Sequence, residues 1–211
     1  MTRTVLLAAA AWLAALATPA AAQTHYWSGF YAGVQAGLFN GTGVLTYEES
    51  DGDWELAGAF GGKFAGFNVQ NGSVVWGVEA DFNLASVEGN GAGFEYLYGS
   101  EVERFGSLRG RLGFASGDFL FFGTAGVAFA QGCFWYEYAS GGDDYPMQEP
   151  THVGVVIGAG AEYALTDAIS IRKEVRFYNF PGQEVVLGTR DESADYALSG
   201  MTASIGIAYH F

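Results

Sequence analysis

The stretch Val74-Val75-Trp76-Gly77-Val78-Glu79-Ala80-Asp81-Phe82-Asn83 decides how this chain is read. Val74, Trp76, Val78, Ala80 and Phe82 share one parity, while Glu79, Asp81 and Asn83 share the other. Side chains alternate across a strand, so one face of this segment is apolar and the opposite face carries two carboxylates. The same alternation recurs further along. Leu108, Leu112 and Phe114 oppose Ser107, Arg109 and Arg111; Ile169, Ile171, Val175 and Phe177 oppose Arg172, Glu174 and Arg176; Glu162 opposes Val155, Ile157 and Tyr163. The charged parities balance, with Glu79, Asp81, Glu162 and Glu174 against Arg109, Arg111, Arg172 and Arg176. A neutral set of alternating charges predicts a packed ionic lumen inside a barrel.

Turn signals set the strand count. Three connections are short and rich in turn formers: Asn71-Gly72-Ser73, Ser116-Gly117-Asp118 and Thr166-Asp167-Ala168. Four long polar or acidic stretches alternate with them, at about 40–54, 85–101, 131–151 and 181–196. Strands are expected at Phe30 to Phe39, Leu56 to Gln70, Val74 to Leu84, Val102 to Ala115, Phe119 to Ala130, His152 to Leu165, Ile169 to Phe180 and Ala197 to Phe211. Each is long enough for the roughly 9 to 11 residues of a tilted membrane strand. The layout is all-β: an eight-stranded antiparallel up-and-down transmembrane barrel with short periplasmic turns and four long extracellular loops.

A soluble barrel of the lipocalin type alternates in the same way with its faces exchanged, so parity alone leaves it open. Two features favour the membrane. Gly77, Gly158, Gly160 and Gly206 thin the polar parity, as a crowded interior requires. Trp76, Phe114, Phe119, Tyr163, Tyr209 and Phe211 lie towards strand ends on the apolar parity, which suits an interfacial girdle. Lys63 and Lys173 also fall on the apolar parity, where a midplane lysine costs roughly 2 to 4 kcal/mol. Either they lie near a rim and snorkel, or a bulge shifts the register.

Arg3, the apolar run Val5 to Leu16 and Ala20-Ala21-Ala22 read as a secretory signal peptide of residues 1–22, cut between Ala22 and Gln23. Residues 23–211 then form one barrel domain. The apolar run is shorter than a spanning helix needs, and none of sufficient length follows. Cys133 stands alone and reads as a tolerated half-buried thiol. The last strand, with Met201, Ala203, Ile205, Ile207, Tyr209 and Phe211 on one parity, is expected to pair with the first near Phe30 to Leu38 and close the sheet. Tyr209 and Phe211 also look like the signal by which the outer-membrane assembly machinery recognises a barrel.

The net charge is −14, and loss of Arg3 makes it more negative. The excess falls on the four long stretches and their rims, led by Glu48, Glu49, Asp51, Asp53 and Glu55 in the first. Such a rim repels nucleic acid, so none is expected as a partner. Carboxylate-rich loops can hold divalent cations, although acidic loops are commonly just solvated. Three histidines, His25, His152 and His210, bring no nucleophile and base into an evident set, so no enzyme is expected. The glycine-rich pieces lack a P-loop lysine and no Cys/His cluster exists, so no cofactor or metal is expected either.

Trp27-Ser28-Gly29-Phe30-Tyr31-Ala32-Gly33-Val34-Gln35-Ala36-Gly37 resembles the W-x-G-F-Y-x-G-x-x-x-G opening of the alphaproteobacterial porin-family outer-membrane immunogenic proteins. Gly66 to Gln70, Trp76 to Phe82, Ser107 to Phe114, Gly158 to Asp167 and Arg172 to Tyr178 are similar to the same family in order. Lys173 departs from the apolar or aromatic residue usual there. The resemblance implies a monomeric eight-stranded barrel of the Gram-negative outer membrane, antigenic at the cell surface, contributing to envelope integrity. Its neighbours would be outer-membrane lipid and lipopolysaccharide. An interior just filled by side chains argues against a wide channel; a narrow solute or ion path and a loop-mediated adhesin remain the competing readings.

Overall fold

The structure, a computed structural model, describes residues 25–47, 50–93, 96–138, 151–187 and 192–211. The expected signal peptide and its cut between Ala22 and Gln23 lie outside them. The described residues form eight strands: β1 (Gly29–Tyr47), β2 (Ser50–Asn71), β3 (Val74–Gly93), β4 (Tyr96–Ser116), β5 (Phe119–Tyr138), β6 (Thr151–Ala164), β7 (Ile169–Leu187) and β8 (Glu192–His210). Neighbours in sequence are neighbours in the sheet, and β8 pairs antiparallel with β1 from Tyr31 opposite His210 to Thr46 opposite Asp195. The barrel is closed, as the last strand's pattern predicts.

Partners followed around the wall run Tyr31, Gly66, Glu79, Arg109, Gly126, Val156, Tyr178 and Gly200. The path returns to β1 at Gly41, ten residues beyond its start. With a rise of about 3.3 Å per residue and strands about 4.8 Å apart, that stagger tilts the strands by about 40°.

At one rim the expected short turns are present. Gly72 and Gly117 have φ of +61° and +60°, which is why glycine stands at the centre of Asn71-Gly72-Ser73 and Ser116-Gly117-Asp118. In the third turn the Thr166 hydroxyl accepts from the backbone N–H of Ile169 at 3.0 Å. At the other rim the described residues of the stretches read as long loops are strand. β1 runs on to Tyr47 and β2 begins at Ser50, β3 ends at Gly93 and β4 begins at Tyr96. Backbone groups leaving the membrane still need partners, and continuing the ladder supplies them. Irregularities between Leu84 and Val87, Val102 and Arg104, and Phe180 and Gln183 interrupt the ladders where the wall leaves the bilayer. Pro181 sits in the last of them, where no ladder N–H is demanded.

The faces settle the soluble alternative. Val34, Leu38, Trp76, Val78, Leu108, Leu112, Ile157 and Ile207 are exposed on the outer wall, while all eight predicted lumen charges are buried. A soluble barrel would have this reversed. The apolar belt begins at a ring of Phe30, Phe67, Trp76, Phe114, Phe121 and Tyr209 and ends where Asn40, Ser86, Thr151, Asn179 and Ser199 point outward. On the tilted strands that belt is about 25 Å tall, as outer-membrane barrels require. Ladders run unbroken through both lysines, Lys63 pairing with Val34 and Phe82, Lys173 with Ala161 and Ile205. No bulge has turned them, and both stand on the lipid face.

Candidate functional site

The interior is filled at three levels. At the short-turn rim the lead before β1 folds across the mouth. Its Trp27 is fully buried against Val75, Leu120, Phe122 and Ala164. The Trp27 backbone N–H donates to Gln70 Oε1 at 2.7 Å, and the Gln70 N–H donates to Ser28 Oγ at 2.7 Å. His25 meets Trp27 edge-on at 4.5 Å, and His210 stacks on Tyr31 at 5.6 Å. Burial and the neighbouring His210 hold the His25 pKa below its ordinary value, against the opposing pull of Asp167, Glu162 and Asp118.

His210, Ser170 and Glu162 meet here, yet the geometry is not that of a nucleophile relay. Ser170 Oγ and Glu162 Oε1 both approach the same ring nitrogen, His210 Nε2, at 2.9 and 3.3 Å. A relay needs the acid on one nitrogen and the hydroxyl on the other. The Ser170 hydroxyl instead donates to Glu162 at 2.5 Å.

Above lies the ionic layer. Arg109 Nη2 donates to Glu79 at 2.5 Å and lies 3.3 Å from Asp81, while its Nη1 donates to Glu174. Arg172 donates to Glu79 at 2.5 Å, Arg111 to Glu162, and Arg176 to Asp81 at 3.1 Å. Neutral groups complete the net. Tyr31 donates to Glu79 at 2.8 Å, Gln35 to Asn83 at 2.7 Å, and Asn83 to Asp81 at 2.6 Å. Two guanidiniums also lie on rings, Arg172 over Phe64 at 3.5 Å and Arg111 over Phe122 at 3.9 Å. All eight residues named from parity are thus brought into one buried cluster. Glycines make room for it: a Cβ at Gly66 would lie 2.3 Å from Tyr31 Oη, and one at Gly158 2.7 Å from Thr124 Oγ1.

The third level is apolar and was not read from the sequence. Phe39, Phe60, Phe105, Tyr178, Phe180 and Leu198 pack across the lumen above the charges. Higher still Trp54 stacks on Tyr196 at 5.6 Å, and both donate to Ser100 Oγ, at 2.9 and 3.2 Å. The signal was present: Phe105 shares the parity of Arg109, and Tyr178 and Phe180 share that of Arg176. His152 points into this layer, edge-on to Tyr196 at 5.0 Å, beside a hollow of about 10 Å³. That space is about one water molecule and too small for an organic substrate. Cys133 is half-buried and in no disulfide. Among the described residues no group of His, Cys, Asp and Glu could hold a metal ion.

The family model for the outer membrane protein beta-barrel domain matches residues 8–211. A 22 kDa outer membrane protein of Rhizobium leguminosarum bv. viciae is 30% identical over 183 residues, covering 87% of this chain and 78% of the relative. A 25 kDa outer-membrane immunogenic protein of Brucella abortus biovar 1 (strain 9-941) is 31% identical over 193 residues, covering 90% and 82%. Among solved structures the outer membrane protease OmpT of Escherichia coli aligns with a TM-score of 0.54 at 11% identity, over 86% of this chain and 96% of that one. That last likeness is one of fold alone.

Proposed function

Since the chain belongs to the outer membrane protein β-barrel family and resides in the outer membrane, we propose that it is a sealed structural barrel that supports the envelope and presents acidic hairpins at the cell surface. The observation that carries this reading is the lumen filled at three levels, by Trp27 and its apolar neighbours, by a neutral ionic net, and by the Phe39 to Leu198 aromatic layer. A solute path would have to part all three. The reading assigns no catalysis to the barrel: the serine, histidine and carboxylate that meet among the described residues, Ser170, His210 and Glu162, share a single ring nitrogen. It places the short turns in the periplasm and the hairpins outside, among lipopolysaccharide. It also makes the surface antigenic, as the relatives' names describe them, and gives Tyr209 and Phe211 to the assembly machinery as a recognition signal.

Deleting the gene in the source bacterium and scoring sensitivity to detergent and bulky antibiotics tests the proposal. Sensitivity should rise, and a chain whose hairpins are trimmed back to the belt should restore resistance. Unchanged resistance in the deletion strain, or restoration only by full-length hairpins, would move the function from the wall to the loops.

A further inference from the structure

Lys63 and Lys173 are the only charged side chains on the lipid face of the belt among the described residues. Outward carboxylates such as Asp53, Glu55, Glu88 and Glu103 are exposed above it. The two lysines share one four-strand face. Lys63 of β2 lies on a rung with Val34 and Ile207, and Lys173 of β7 lies on a neighbouring rung with Ile205 and Ala36. Between them the wall offers only apolar side chains.

Depth separates this pair from an ordinary rim anchor. With strands tilted about 40°, Lys173 stands about 8 Å and Lys63 about 13 Å above the aromatic ring, in a belt about 25 Å tall. Both are therefore nearer to, or no farther from, the leaflet on the short-turn side. A four-methylene stem carries the Lys173 ammonium most of the way to that leaflet's headgroups. Lys63 at mid-belt cannot reach them unless a headgroup is drawn inward. Immediately below it the wall is small, with Ala65 on its own strand and Ala32 on the next, so a headgroup that has passed the Phe30 and Phe67 rings of the rim meets only methyl groups before Lys63.

We propose that Lys63 and Lys173 form a binding site for an anionic phospholipid of the periplasmic leaflet, whose phosphate is drawn towards both ammonium groups and thins the bilayer beside β7, β8, β1 and β2. A net-negative headgroup fits because two cations stand on this face and the outward residues described beside them on β7, β8, β1 and β2 within the belt include no carboxylate; a zwitterionic headgroup brings its own cation and neutralises less. The leaflet assignment rests on the orientation proposed above. The chemistry of the site does not.

The test uses the folded barrel in nanodiscs of phosphatidylcholine with a minor fraction of phosphatidylglycerol, and native mass spectrometry of the lipid it retains. The wild type should retain phosphatidylglycerol several-fold above its share. The Lys63→Gln, Lys173→Gln double variant should retain both lipids in proportion to supply while still running as a folded barrel in heat-modifiability gels, since neither side chain enters the core. Equal enrichment in the two proteins, or none in the wild type, would overturn the site. A second arm replaces phosphatidylglycerol with lipopolysaccharide; loss of lipopolysaccharide retention in the variant with phosphatidylglycerol unaffected would also overturn it. Labelling of a Ser73→Cys, Cys133→Ser chain on intact cells reports orientation separately, and should fail from outside.

Discussion

Replacing Arg109 by methionine removes the charge at the centre of the lumen while keeping much of its volume. Arg109 is 1% exposed and serves three carboxylates, with Glu79 at 2.5 Å, Asp81 at 3.3 Å and Glu174 in direct contact. The losses are unequal. Glu79 keeps Arg172 at 2.5 Å and Asp81 keeps Arg176 at 3.1 Å, but Glu174 is left with Arg172 at 3.5 Å and Arg176 at 3.7 Å. The net also acquires an unbalanced negative charge. Removing one partner of a buried ion pair costs about 3 to 5 kcal/mol. At about 2 to 4 °C per kcal/mol for a chain of this size, the Arg109→Met barrel should melt roughly 6 to 20 °C lower. Arg104→Met is the control, because its contact with Glu103 is 3.9 Å long and both side chains are over 40% exposed; such a pair contributes at most about 1 kcal/mol. Adding Glu174→Gln to Arg109→Met restores neutrality and should recover part of the loss. The assay is thermal unfolding in micelles, read by heat-modifiability gel. Arg109→Met melting together with Arg104→Met would refute the ionic net as a desolvated cluster.

Gly66→Ala should destabilise the barrel by about 1 to 3 kcal/mol in the same melting assay, because the added methyl collides with the Tyr31 ring and with the Val78 carbonyl at 2.7 Å. Docking of the lead should depend on pH through His25. Its pKa is lowered in the folded state, so the docked neutral ring is fully favoured above the ordinary value of 6.5 and loosens as pH falls below it. Hydrogen exchange at residues 25–28 should quicken on acidification, and His25→Phe should abolish the dependence. Tyr209→Ala with Phe211→Ala should reduce surface levels far more than melting temperature, since both rings are exposed, at 51% and 79%, and support little of the folded core.

The part of the fold that lies in the membrane was legible because the bilayer enforces contrast. In β3, and in β7 apart from Lys173, the outward residues of the belt are apolar while the inward ones can be charged, so parity alone located Glu79, Asp81, Arg172, Glu174 and Arg176. Above the belt that contrast vanishes. Residues 40–54 mix glycine, polar and apolar types without a clean alternation, and the chain there reads as loop although β1 and β2 pair through Tyr47 and Ser50. The aromatic layer was hidden for a related reason: Phe105 and Phe114 are the same residue type, one inward above the charges and one outward at the ring. Counting from Arg109 separates them, since Phe105 keeps its parity and Phe114 does not. Trp27 lies before the first strand, where no alternation exists to place it. For Lys63 and Lys173 parity pointed to the lipid face but left a bulge open; the unbroken ladders decide the face, and their depth required the stagger of the closed barrel.

A sealed lumen is the claim on which the functional reading stands, and planar-bilayer recording of the purified, folded protein tests it most directly. The three filled levels predict a silent membrane across the voltage range, for the wild type and also for the Arg104→Met control. Stable, reproducible conductance steps from the wild-type barrel would contradict the account and make this chain a narrow channel.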